Sequence, residues 1–225
     1  MALRDAAKYY KELPHQQAAW DELEARLPAH VVDEFLQAYR SAPEAPQAPV
    51  GGLISHQTLE DLTGYRKELF TQLEVDDFNR LLRETGFDKD LDATRMLVAN
   101  ILHETANLKY MKEIASGWAY EGRSDLGNVH PGDGPRYKGA GVLQLTGRYN
   151  YSRLSKALAD PRVMEGVDYV STTYPFMSAL TWIKENRLLA VAQTQGFDAV
   201  CRRINGGWNG YEDRLSKYRL CQRVL

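Results

Sequence analysis

The chain has 225 residues, 44% hydrophobic and 26% charged, with a formal net charge of -2 at pH 7. That length can bury a sizeable core and suits one principal domain with room for a small addition, and the composition is ordinary for a soluble globular protein. So small a charge gives no general attraction to nucleic acid. No apolar run is long enough for stable membrane insertion, and the first residues lack a signal peptide's apolar region, so the expectation is a soluble protein made in the cytoplasm.

Residues 1–40 carry two helical patterns, 3–26 and 30–39, punctuated by Pro14 and Pro28. Residues 41–52, rich in proline and alanine and closing on Gly51-Gly52, read as a stiff, extended linker ending in a flexible joint. The expected organisation is a small helical module at 1–40, for wall or partner binding or docked on its neighbour, then the linker, then a main domain at 53–225. In that domain helices are expected at 59–70 and 75–84, with Asp76 or Asp77 near the start of the second and Gly86 as its stop. Another is expected at 92–106, capped by Asp90 or Asp92. A loop-rich centre crowded with glycine and amide residues, 122–150, follows. Helices return at 149–159, 175–186 with Pro175 in the first turn and Leu180 and Trp182 inward, 197–204 and 211–224. No strand alternation or fixed-period repeat is visible, so the expected fold is mainly α, two helical lobes around a cleft, with at most a short hairpin near the site. Cys201 and Cys221 read as reduced, buried or partly buried thiols. Arg202, Arg203, Arg214, Lys217, Arg219 and Arg223 read as a solvated helix face.

The chemistry-bearing residues begin at His103-Glu104-Thr105, with Glu113 and Glu121 following. Cleaving a glycosidic bond requires one protonated carboxyl to donate to the leaving oxygen and one carboxylate to activate water or attack the sugar. On a helix Glu104 falls within about 20° of Leu97 and about 60° of Ile101, on the apolar stripe. Desolvation there raises a carboxyl pKa and suits a general acid. Glu113, nine residues on, is about two and a half turns away and would face the opposite side of an unbroken helix. The chain must therefore break between them if both serve one site, and Asn107 with residues 108–110 suits that break because Asn tolerates left-handed geometry. Spacing alone equally allows a buried Glu104 tied to backbone or arginine and a solvated Glu113. Glu121 competes for the second role, although pairing with Arg123 or a loop backbone is the preferred reading.

Other chemistries find less support. The zinc motif His-Glu-x-x-His fails at Asn107, and His15, His30, His56 and His130 lack ligand spacing, so His103 is assigned packing or support and neither metal nor cofactor is expected. Gly132, Gly134, Gly139, Gly141 and Gly147 match no phosphate-binding pattern and suit tight turns. No Gly-x-Ser-x-Gly elbow is present.

Several ordered motifs carry a resemblance: His103-Glu104-Thr105, Tyr110-Met111-Lys112-Glu113, Ala119-Tyr120-Glu121-Gly122-Arg123, Leu126-Gly127-Asn128, Pro131-Gly132-Asp133-Gly134, the run 141–151, Ile204-Asn205-Gly206-Gly207 and Arg214. Over roughly residues 75–225 the chain resembles the family 19 glycoside hydrolases, which hold plant-type chitinases and the related lysozymes that phages use as endolysins. The resemblance implies a lysozyme-like or chitinase-like helical domain with an inverting mechanism. Glu104 matches the general acid, Glu113 the base that activates water, and Thr146 a hydroxyl that helps hold that water. Gln144, Tyr149, Asn150 and Asn205 match substrate-groove positions, and Arg214 an arginine supporting the acidic site. An inverting pair stands about 6.5–9.5 Å apart. One departure is Gly139-Ala140-Gly141, where the family usually has arginine between the glycines. The implied protein is a monomeric phage-type endolysin that hydrolyses peptidoglycan glycan strands and depends on a holin for access to the wall. Chitinase action and a wall-binding protein without catalysis are the alternatives.

Overall fold

The computed structural model describes residues 22, 25–33 and 52–225. The chain divides into two units, Met1–Val50 and Gly51–Leu225. In the first, residues 29–33 are helical and follow a break at Leu27 and Pro28. The rest of the expected helices at 3–26 and 30–39, and the linker except Gly52, lie outside the described residues.

In the second unit, helix α1 (His56–Thr63) starts where the Ser55 hydroxyl accepts the Thr58 N–H and ends at Gly64, whose φ of 75° closes the last turn. That glycine stops the helix expected at 59–70, and only a single 3-10 turn, Lys67–Leu69, follows. Helix α2 (Gln72–Thr85) starts earlier than expected, because Thr71 and Glu74 form a capping box. Asp76 and Asp77 therefore lie within it, while Gly86 is the stop that was expected. Asp77 is buried and accepts the N–H groups of Phe176 and Met177 at 2.7 and 3.0 Å.

Helix α3 (Leu91–Glu104) is capped by Asp90, which accepts the Ala93 N–H. Leu97, Val98, Ala99 and Ile101 have no exposed surface, so α3 is buried all round rather than along one stripe. After it come the short α4 (Asp133–Arg136), then α5 (Arg148–Leu158), α6 (Val167–Thr173) and α7 (Leu180–Glu185). Neither α4 nor α6 was expected from periodicity. Pro175 sits in the turn before a 3-10 segment, Met177–Ala179, not inside the helix expected at 175–186. Its carbonyl accepts the Val142 N–H at 2.9 Å. Leu180 is buried, and Trp182 packs on the core.

Helix α8 (Leu188–Asn205) is interrupted at Gly196, with φ 77° and ψ -171°; only its second half had been anticipated. Helix α9 (Tyr211–Val224) has its expected bounds and packs along α3. Extended pairing among the described residues is confined to isolated bridges, Lys112 with Ala140 and Ala140 with Leu145. One apolar core joins these elements, with Phe78 and Phe176 stacked at 4.1 Å and Phe197 and Tyr218 at 4.5 Å. Cys201 and Cys221 are free and buried, as expected, and burial pushes both thiols up, Cys221 to about 12. No helix among the described residues is long and apolar enough to cross a membrane.

Candidate active site

Helix α3 stops at Glu104, and the chain reverses through Ala106, Asn107 and Leu108, whose φ values of 50°, 60° and 66° are all left-handed. Each such non-glycine residue costs about 1–2 kcal/mol, so the turn persists only because its surroundings fix it. The Asn107 N–H reaches the Leu102 carbonyl at 2.8 Å. The Thr105 hydroxyl donates to the Ile101 carbonyl and accepts the Leu108 N–H. The Lys217 ammonium donates to Asn107 Oδ1 at 2.8 Å. The chain thus breaks between Glu104 and Glu113 at the place the sequence offered for it.

One face of α9 meets that turn. Asp213, Arg214 and Lys217, at i, i+1 and i+4, contact His103, Glu104 and Asn107 in the same order. The Arg214 side chain is only 1% exposed and donates to Glu104 Oε1 at 2.5 Å and to Asn100 Oδ1 at 2.7 Å. Lys217 thus leaves the solvated face to which the sequence assigned it, and Arg214 leaves it for the position beside Glu104 that the resemblance implied. Glu104 needs correction too. It stands at the end of an all-round buried helix, 27% exposed against a guanidinium, and is not enclosed by an apolar stripe. His103 Nδ1 lies 2.6 Å from Asp213 Oδ2, and Gly210 is held flat on the ring: a Cβ there would come within 2.2 Å of it. Burial opposes the Asp213 charge, but His103 and Lys217 outweigh it and hold the carboxyl below its usual range.

Glu113 belongs to a second cluster. Its Oε2 accepts the Gly139 N–H at 2.8 Å, its own N–H donates to the Gly139 carbonyl at 2.9 Å, and Oε1 accepts the Tyr120 hydroxyl at 3.1 Å. Burial, then the Glu113 charge, pushes the Tyr120 phenol up. A Cβ at Gly139 would lie 2.4 Å from Gln144 Oε1 and 3.1 Å from Glu113 Oε2, so a side chain there would shift the ends of both. Gln144, itself left-handed, donates from its amide to the Gly141 carbonyl. The Thr146 hydroxyl donates to the Gln144 carbonyl at 2.8 Å, and the Asn150 amide to the Thr146 carbonyl at 2.8 Å. Ala140 is wholly buried between its two bridge partners.

Glu121 is occupied elsewhere. Its two oxygens accept the N–H groups of Gly132 and Gly134 at 2.7 and 2.8 Å, the loop-backbone reading, while Arg123 pairs with Asp125. Gln144, Thr146 and Asn150 thus form one chain of hydrogen bonds, which neighbours Glu113 through the Gly139–Gly141 backbone, while Arg214 holds Glu104 and the adjacent Asp213 holds His103. Tyr149 belongs to neither: it is exposed, packs on Gly127 and carries the Arg153 guanidinium 5.4 Å from its ring centroid. Asn205 ends α8 with its Oδ1 buried and unpartnered among the described residues.

Sequence reasoning missed the supports. Asp133 is buried and takes a two-pronged contact from Arg148 at 2.7 and 2.8 Å plus two backbone N–H groups; the Arg148 bond holds its carboxyl below the usual range. Asn128 joins the Tyr120 carbonyl to the Arg148 N–H. The i, i+1, i+4 charges at the start of α9 were the one visible signal for Asp213 and Lys217.

A mainly helical, lysozyme-like domain with carboxylates held at a helix end and on a polar loop network defines the class. The fold is that of family 19 chitinases. Chitinase C from Streptomyces griseus superposes with a TM-score of 0.59 at 18% identity, over 79% of this chain and 94% of that one. A bacterial family 19 chitinase gives 0.58 at 18%, over 76% and 95%. In sequence, a glycosyl hydrolase family 19 domain-containing protein of Haemophilus influenzae is 32% identical over 107 residues, 48% of this chain and 52% of the relative. An Arabidopsis thaliana endochitinase is 35% identical over 113 residues, 49% and 38% respectively. The chain spans about half the length, or less, of these curated relatives. No protein-family model matches it. The chain is a relative of the family 19 glycoside hydrolases with the fold of their chitinases.

Proposed function

We infer that the chain is a glycoside hydrolase that cleaves β-linked N-acetylated sugars of bacterial peptidoglycan, with Glu104 as general acid and Glu113 as general base. The observation that carries this pairing is how differently the three candidate acids are held. All three are partly exposed, but Glu121 spends both oxygens on the backbone of the 132–134 loop, Glu113 divides its own between the Gly139 N–H and the Tyr120 hydroxyl, and Glu104 takes only the Arg214 guanidinium among the described residues. In this reading the glycosidic oxygen takes the proton from the second carboxyl oxygen of Glu104, while Arg214 keeps its contact with Oε1. That guanidinium then stabilises the carboxylate left behind. Glu113, steadied by Gly139 and Tyr120, accepts a proton from water on the opposite face of the sugar. Thr146, whose own hydrogen is given to the Gln144 carbonyl, offers that water an acceptor. Gln144 and Asn150 supply amides suited to N-acetyl groups.

The peptidoglycan reading draws on the Tyr120-Glu121-Gly122-Arg123 element, which resembles the lysozyme branch, and its setting is phage-type host lysis with a holin giving access to the wall. Chitin is the second reading, supported by the names of the relatives and structural neighbours. Mass spectrometry of fragments from purified peptidoglycan and from chitin oligomers distinguishes the two. Glu104→Gln is expected to stay folded and release no new reducing ends from either polymer. Appreciable turnover by that variant removes Glu104 as the acid.

A further inference from the structure

Trp208 is a large apolar side chain left 54% exposed, yet it is firmly held. The Arg202 guanidinium lies 5.2 Å from its ring centroid, and Tyr211 meets it edge-on at 4.9 Å and 79°. The Tyr211 hydroxyl in turn donates to Asp198 at 2.6 Å, which anchors the aromatic pair to α8. A ring fixed in this way offers flat apolar surface with little freedom left to lose on contact. The backbone beside it is bare: a Cβ at Gly206 or Gly207 would meet nothing within 4 Å. Trp208, Gly210, Tyr211, Glu212 and Asp213 line a shallow hollow, wide open to solvent.

Aromatic surface beside carboxylate acceptors selects a class of ligand. A nucleotide would stack on the indole but bring its phosphates against Glu212 and Asp213. A free cation would satisfy the carboxylates and leave the indole unused. A pyranose satisfies both, with its C–H face on the ring and its hydroxyl and amide donors on the carboxylates. Asp213 joins the hollow to the reaction centre, because it contacts His103, the neighbour of Glu104, and precedes Arg214 in α9.

We propose that the hollow around Trp208 is an accessory saccharide subsite, in which an N-acetylhexosamine unit of the glycan that reaches Glu104 packs on the indole. The proposal rests on the glycosidase reading. It is tested by calorimetric titration of the full chain carrying Glu104→Gln, which prevents turnover, with a chitin hexamer and separately with a soluble peptidoglycan strand. Adding Trp208→Ala weakens binding of at least one of them about tenfold or more, the loss typical of an aromatic anchor, while Trp208→Phe retains most of it. The Trp208 indole N–H resonance shifts during the same titration, a readout independent of the variant's stability. Ligand bound equally with and without Trp208, with that resonance unmoved, overturns the subsite and leaves the hydrolase reading intact. Failure of the parent chain to bind either ligand, together with no reducing ends from either polymer, overturns both.

Discussion

Arg214→Ala isolates what holds the candidate acid. The substitution removes a fully buried side chain with two short charged hydrogen bonds, one to Glu104 and one to Asn100. Asn100 has no exposed surface, so leaving its Oδ1 without a donor costs about 1–3 kcal/mol. Glu104 is 27% exposed, so water recovers part of its lost partner and its share falls to about 1–2 kcal/mol, below that of a fully buried pair. The missing hydrocarbon stem adds about 2 kcal/mol at 0.8 kcal/mol per methylene. The total is about 5 kcal/mol, which for a domain of this size lowers the melting temperature by about 10–20 °C. Urea unfolding at pH 7, followed by tryptophan fluorescence and far-UV circular dichroism, measures it. Arg214→Lys falls between, since one ammonium cannot serve two acceptors in a fork. In a double-mutant cycle Arg214→Ala and Glu104→Gln combine to less than their sum. A loss under about 1 kcal/mol, or strict additivity, would falsify the role of this arginine as the strut under Glu104.

Three further outcomes follow from the same geometry. Glu121→Ala is expected to destabilise by about 3 kcal/mol through two lost charge-assisted bonds and to speed amide exchange at Gly132 and Gly134, whereas Glu121→Gln leaves far more turnover than Glu113→Gln; the reverse order of activities moves the base to Glu121. Gly141→Ala is expected to cost about 3–5 kcal/mol, because φ is 71° and the new Cβ meets Ser178 Oγ at 1.8 Å and the Pro175 carbonyl at 2.5 Å. A companion Ser178→Gly restores only part of that loss, since the carbonyl contact and the backbone strain remain; full recovery on chemical denaturation contradicts this. Burial raises the Asp77 carboxyl to about 7 against the opposition of two backbone N–H groups, so the folded state binds its proton more tightly than the unfolded state. Its contribution is therefore fully present below about pH 4 and is lost as pH rises to about 7, up to about 4 kcal/mol. Asp77→Asn is expected to remove that slope from urea midpoints measured between pH 4 and 9, and identical slopes in the two proteins tell against it.

Much of the framework was legible because it depends on neighbours in the chain. Gly86 as a stop, Asp90 as a cap, the span of α9 and a left-handed break at Asn107 follow from local backbone preferences, which act over a few residues whatever the fold. The errors arose where one local signal outweighed another. The Thr71–Glu74 capping box displaced Asp76 and Asp77, and Gly64 cut short a stretch that periodicity continued. Spacing alone named Glu104, Glu113 and Glu121 without fixing their roles, and the resemblance to a family supplied the ranking, since a carboxylate's task depends on groups far along the chain. Packing α9 against α3 buries Arg214 beneath Glu104, and folding the 130–134 loop back engages both oxygens of Glu121. Those contacts join residues 110 and 11–13 positions apart, and no helical or strand period encodes them.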